Sequence, residues 1–209
     1  MEKKILTPEQ IDILGEVANI SMGNAATALG MMVNREVDIT TPRVEVIKRS
    51  QSLDDYENVC VFVQIHYIVG LEGNNVLILK DQDIKCMTDL MMGGSGNVEE
   101  GELTEIQLSA ASEAMNQMMG SSATSLSSML GIPIDISTPE VRRIDVESVK
   151  TFEKMFESSV EKFVKVNFRM KIGDLIDSSM VQLYPVDFAY EMCEKFRESK
   201  LQAKKLQEV

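Results

Sequence analysis

Two trios of polar side chains stand at matching intervals in this chain: Asp12, Glu16 and Asn19, then Ser109, Glu113 and Asn116. Glutamate supplies a charged acceptor, and asparagine a neutral amide that both donates and accepts, so each trio can hold a polar partner by charge and hydrogen bonding together. Other chemistries are poorly supplied. His66 is the single histidine, set in the apolar strand pattern from Val61 to Val69, and it reads as structural rather than as a catalytic base. With one histidine and no cysteine pair a structural zinc site is not expected, although carboxylates could still bind a hard cation.

The trios belong to a longer repeat. A shift of 97 positions aligns Leu6 to Val44 with Leu103 to Val141, and 16 of the 39 aligned pairs are identical, against roughly three expected by chance. The identities include Thr7/Thr104, Gln10/Gln107, Glu16/Glu113, Asn19/Asn116, Gly23/Gly120 and Pro42/Pro139. Asparagine is a mediocre helix former, and solvated positions usually drift between duplicated halves. Gly15/Ser112 and Ile20/Gln117 did change, so identical Glu and Asn imply a requirement for those side chains and two matching sites.

The elements that must carry the trios follow from hydrophobic spacing. Thr7-Pro8 with Gln10 forms a capping-box start, and Ile11, Leu14, Ala18, Met22, Ala25 and Leu29 keep helical spacing, which predicts an amphipathic helix from about 8 to 33. Thr104 and Gln107 open a second one. At 100° per residue Asp12, Glu16, Asn19 and Gly23 fall within roughly 60° of arc opposite the apolar stripe, as do Ser109, Glu113, Asn116 and Gly120 on the second helix. Glycine costs about 1 kcal/mol in a helix interior relative to alanine. Gly23 and Gly30 therefore point to a close approach of another backbone or a partner. Most methionines of these helices lie on the apolar stripe and read as core.

Extended segments follow each helix, near 37–44 and 134–141, with a proline in each marking a strand start, bulge or edge. Strands are expected near 59–69 and 75–80, flanking a turn at Glu72-Gly73-Asn74-Asn75, then a helix near 81–92. The second half repeats the order, with strands near 162–172 and 178–184, a helix near 186–200 and a short helix in 146–158. The stretch Gly93 to Glu102 lacks the lysine of a phosphate loop and carries carboxylates, so it reads as a hinge.

The expected fold is α/β: a single pseudo-two-fold domain built from two helix-strand-strand-strand-helix repeats, sharing one mainly antiparallel sheet with helices packed on it. Repeat one covers 5–93, the hinge 94–102, repeat two 103–200, and a tail or linker 201–209.

Composition narrows the partners. A formal net charge of −12 opposes binding to a nucleic-acid backbone or an anionic membrane, leaving a protein or a small molecule. Three widely spaced cysteines give no disulfide framework, and neither a signal peptide nor an apolar span of bilayer length shows, so a cytoplasmic protein without membrane insertion is expected.

The pattern Asp or Ser, three residues, Glu, two residues, Asn, twenty-two residues, Pro is met by Asp12-Glu16-Asn19-Pro42 and by Ser109-Glu113-Asn116-Pro139. It resembles the CheC, FliY and CheX family of chemotaxis phosphatases, over nearly the whole chain, with Leu103 to Gly120 most similar to the FliY branch. The resemblance implies removal of phosphate from the response regulator CheY at the flagellar motor switch. Glu16 and Glu113 would pair with a lysine of the regulator, and Asn19 and Asn116 would enter its active site and orient a water. Asp12, Ser109, Gly23 and Gly120 would line the binding surface. Mg²⁺ would come with the bound regulator rather than from this chain.

An acyl phosphate is already reactive, so positioning a water in line with the leaving carboxylate can suffice. The same resemblance leaves an alternative, a non-catalytic flagellar switch module that binds FliM- or FliN-type proteins or CheY. FliY-type proteins usually carry an amino-terminal CheY-binding segment and a carboxy-terminal FliN-like domain, and neither shows in these residues. A FliY fragment ending in its linker and a stand-alone CheC-like phosphatase both fit, and CheD is an implied partner only for the second.

Overall fold

Thr7 and Thr104 start the two long helices with the same reciprocal pair of hydrogen bonds. The Thr7 hydroxyl accepts from Gln10 N at 3.3 Å while Thr7 N donates to the Gln10 side chain at 2.9 Å, and Thr104 and Gln107 repeat this at 3.2 and 2.9 Å. Each box satisfies two of the backbone donors that a helix start leaves unpaired.

The computed structural model describes residues 6–52, 59–99, 101–144 and 155–207. In chain order the elements are α1 (Pro8–Val33), β1 (Val37–Lys48), β2 (Cys60–Val69), β3 (Gly73–Lys80), α2 (Asp81–Met91), α3 (Glu105–Leu130), β4 (Asp135–Ile136), β5 (Glu140–Ile144), β6 (Lys162–Ile172), β7 (Ile176–Pro185) and α4 (Val186–Gln207). A single 3-10 turn at Arg49–Gln51 follows β1. The short helix expected in 146–158 falls largely outside the described residues.

The strands form one antiparallel sheet in the order β1-β6-β7-β3-β2-β4, with β5 also on β2. This order is symmetric about the β7/β3 junction. The hairpin β2–β3 of the first repeat abuts the hairpin β6–β7 of the second, and each repeat sends its first strand across to the other: β1 pairs with β6, and β4 and β5 with β2. The repeats are interlaced, so the pseudo-two-fold shared sheet expected from the sequence is the one formed.

Alternate strand residues face α1, α2, α3 and α4. Val61, Val63, Ile65, Leu77, Leu79, Val164, Val166 and Phe168 join Leu14, Met22, Leu29, Ile84, Met87, Met115, Leu126, Phe188 and Met192 in one buried cluster. The opposite sheet face carries a smaller one, where Phe62, Val76, Ile78, Phe163 and Leu183 pack with Met155 and Phe156. Most helix methionines are core, as the periodicity predicts, but Met31 is 76% exposed.

The prolines mark irregularities in both outer strands. Pairing of β1 with β6 shifts register between Thr40 and Arg43, and in the second repeat the matching segment is broken into β4 and β5 around the buried Pro139. Proline cannot donate to the ladder, which accounts for a break at this place.

The turn between β2 and β3 differs from expectation. It lies at 70–72, because Gly73, Asn74 and Asn75 are already paired with Tyr67, His66 and Ile65. Turn propensity is overridden by side-chain bonds made from strand positions: Asn74 Nδ2 donates to Met155 O, ahead of β6, at 2.6 Å, and the buried Asn75 Nδ2 to Tyr67 Oη of β2 at 3.5 Å. Gly70 makes the turn instead, at φ 79°, with the Pro133 carbonyl so near that no Cβ would fit.

The connection between repeats is fastened to α2. The Asp89 carboxylate accepts from Gly96 N at 2.8 Å, and Lys85 Nζ donates to Gly101 O. Lys85 also pairs with Asp81 at 2.8 Å, whose other carboxylate oxygen accepts from Arg143 of the second repeat at 2.8 Å. The residues expected as a tail continue α4 to Gln207.

Candidate functional site

The buried faces of α1 and α3 decide where the polar trios point. Leu14, Val17, Ala18, Met22 and Ala25 are buried on α1, as are Ala111, Ala114, Met115, Met119 and Ser122 on α3. Asp12, Glu16 and Asn19 consequently stand exposed on the solvent side of α1, and Ser109, Glu113 and Asn116 on that of α3. All six lie where the helical spacing puts them. A rigid rod with one face locked in a core holds such side chains in fixed mutual geometry.

The two trios form separate sites. Ser121 Oγ donates to Asn24 O at 3.1 Å, and these two residues are mates under the 97-residue shift. The pseudo-axis therefore passes between α1 and α3 at this point. It relates the antiparallel β3 and β7, and with α1 and α3 on the same sheet face it must run them antiparallel. Asn19 and Asn116 each precede the contact by five residues, so they lie about 7 Å along their helices in opposite directions from it.

Gly23 and Gly120, one turn beyond each asparagine, are half-buried, and among the described residues no atom beyond the surrounding turns of the same helix's backbone lies within 4 Å of where a Cβ would stand. No packing contact among the described residues calls for their small size. Gly30 is different: an added Cβ would meet the Arg35 carbonyl at 3.0 Å, so its close neighbour is the chain's own turn after α1. Threonine hydroxyls a turn further on take up the glycine carbonyls in both copies, Thr27 to Gly23 O at 3.2 Å and Thr124 to Gly120 O at 3.0 Å.

The copies are not identical around the trios. Gln117 Nε2 donates to Glu113 Oε1 at 3.0 Å, and its counterpart Ile20 has no donor to offer Glu16. Glu9, two turns ahead of Glu16, pairs with Arg197 of α4 at 3.0 Å, where the second helix carries Ile106. The sequence shows Gln117 only as a changed position and gives no role to Ile106, because both break the repeat that reveals the sites.

Elsewhere the reactive groups are subdued. Cys60, Cys86 and Cys193 are buried and form no disulfide, and burial pushes the Cys60 thiol up to about 11 and the Cys193 thiol to about 12. His66 is half-buried in β2, and its backbone oxygen accepts from Ser137 N at 2.9 Å. Among the described residues no group of three or more His, Cys, Asp or Glu is disposed to hold a metal, and no helix is long and apolar enough to cross a membrane.

Comparison with known proteins gives a consistent family. The CheC-like family matches residues 9–46 and 106–143, the two stretches that carry the trios. The flagellar motor switch phosphatase FliY of Bacillus subtilis (strain 168) is 45% identical over 187 residues, 90% of this chain and 49% of that protein. This chain thus spans about half the length of that relative. The CheY-P phosphatase CheC of the same organism is 27% identical over 137 residues, 64% of this chain and 66% of that protein. The crystal structure of Thermotoga maritima FliY superposes with a TM-score of 0.88 at 44% identity, covering 94% of this chain and all (100%) of that one.

Proposed function

As the chain belongs to the CheC-like family, sharing the fold of FliY along nearly its whole length, we propose that it removes phosphate from phosphorylated CheY at the flagellar motor switch. The observation that carries this reading is the exposed Glu–Asn pair, held three residues apart on each of two helices whose opposite faces are locked in one core. The names of the relatives, a flagellar motor switch phosphatase and a CheY-P phosphatase, support the substrate.

In this reading Glu16 or Glu113 docks against a lysine of the regulator, and Asn19 or Asn116 reaches the aspartyl phosphate. The amide holds a water by donating with its NH₂ and accepting with its carbonyl, and it adds no negative charge beside the phosphoryl group. Water attacks phosphorus, the aspartyl carboxylate leaves, and Mg²⁺ held by the regulator offsets the charge on the transferring group. Asp12 and Ser109 border the docking surface. Gly23 and Gly120 leave room for the regulator's backbone.

The same proposal puts the chain at the cytoplasmic face of the motor, beside FliM and other switch proteins. Phosphate release from phosphorylated CheY tests it. With Asn19→Ala and Asn116→Ala combined, release should fall by about a hundredfold or to the regulator's own spontaneous rate, the loss expected when a reacting water is misplaced. Unchanged release by the folded double variant would remove the assignment.

A further inference from the structure

At two positions on the face that carries the polar trios, the pseudo-symmetry exchanges an apolar side chain for a polar one. Under the 97-residue shift Glu9 faces Ile106, and Ile20 faces Gln117. At 100° per residue, positions 9, 12, 16, 19, 20 and 23 of α1 lie within about 100° of arc, and so do their mates on α3. Each site therefore carries one isoleucine, at opposite ends. Ile20 is 41% exposed and adjoins Asn19, whereas Ile106 is 70% exposed and precedes Asn116 by ten residues, about 15 Å of helix.

Neither isoleucine belongs to a buried cluster, and both count among the exposed large apolar side chains. Their counterparts are engaged in polar contacts instead: Glu9 with Arg197 at 3.0 Å, and Gln117 with Glu113 at 3.0 Å. The end of each site that lacks the isoleucine is thus tied into an ion pair or hydrogen bond. An exposed apolar side chain continuous with a polar docking patch gains free energy only when a partner covers it.

We infer that the two sites grip the phosphorylated regulator through differently placed apolar contacts, Ile20 beside the asparagine in site one and Ile106 a turn ahead of Ser109 in site two. This rests on the phosphatase reading and adds to it that the sites are not interchangeable: a change on the regulator's surface that weakens one leaves the other intact.

Steady-state kinetics with phosphorylated CheY, in backgrounds with one working site, test the inference. Asn116→Ala isolates site one, and Asn19→Ala isolates site two. Ile20→Gln should raise KM about tenfold in the first background and leave the second unchanged, while Ile106→Glu should do the reverse, with kcat held in both. Equal effects in the two backgrounds, or no change of KM in either, would overturn the inference. Thermal unfolding of each variant confirms that surface substitutions have left the fold intact. Failure of the phosphatase reading looks different: the Asn19→Ala/Asn116→Ala double variant would then release phosphate as fast as the parent.

Discussion

A glycine in mid-helix with empty space around it is a small puzzle in stability, and Gly23 and Gly120 present it twice. Alanine at either position meets no described atom beyond its own helix's backbone within 4 Å and should stabilise the helix by about 1 kcal/mol. Gly23→Ala and Gly120→Ala are therefore expected to raise Tm in a thermal scan, and, because the methyl groups occupy the space left for a partner, to raise KM for phosphorylated CheY. Asp83 makes a second residue-scale case. Burial pushes its carboxyl above the usual value, with the Ser178 hydroxyl and Lys80 offsetting part of the effect. The folded state thus holds this proton more tightly than the unfolded chain does. Ionised Asp83 costs stability above its folded pKa, and the cost disappears as pH falls below the unfolded value. Asp83→Asn should accordingly exceed the parent in Tm near pH 7, with the advantage shrinking as pH is lowered toward about 4. The thiols follow from the same physics: with Cys60 near 11 and Cys193 near 12, a thiol reagent should label the native protein far more slowly than the unfolded chain at neutral pH.

Among the elements, the exchange of outer strands governs folding. Because β1 completes the sheet of the second repeat, and β4 and β5 that of the first, a fragment ending near residue 99 lacks partners for β1 and for the far edge of β2. That fragment alone should give the circular dichroism and amide dispersion of a largely unfolded chain, and mixing it with a fragment beginning near residue 101 should restore sheet signal. The first long helix was legible in the sequence at both ends and the second at its start, since capping boxes and apolar spacing are local. Pairing across repeats was not, because any strand with alternating apolar residues satisfies either neighbour. The β2–β3 turn was misread for a related reason: Asn74 and Asn75 find their partners in Met155 and Tyr67, and no local pattern foretells such bonds. At the site, repetition exposed Glu16, Asn19, Glu113 and Asn116, while the bond from Gln117 to Glu113 and the exposure of Ile106 needed the structure to be seen.

At the scale of the whole molecule, the four helices and one sheet face share a single buried cluster, and the linker is fastened through Gly96 and Gly101 to α2. Among the described residues, each buried cluster draws on both repeats. Calorimetric unfolding should therefore show one transition with matching calorimetric and van't Hoff enthalpies, rather than two steps. The hydrogen bond from Ser121 to the Asn24 carbonyl lies where the pseudo-axis crosses the molecule. In a symmetric pair of identical subunits, any residue on the dyad confronts its own twin, and a donor there must also serve as its own acceptor. Joining both halves in one polypeptide lifts that requirement: one side can give a proton while the other only receives it, and every substitution at the seam is felt once instead of twice. The same freedom lets each half tune its own grip while the scaffold beneath stays common to both.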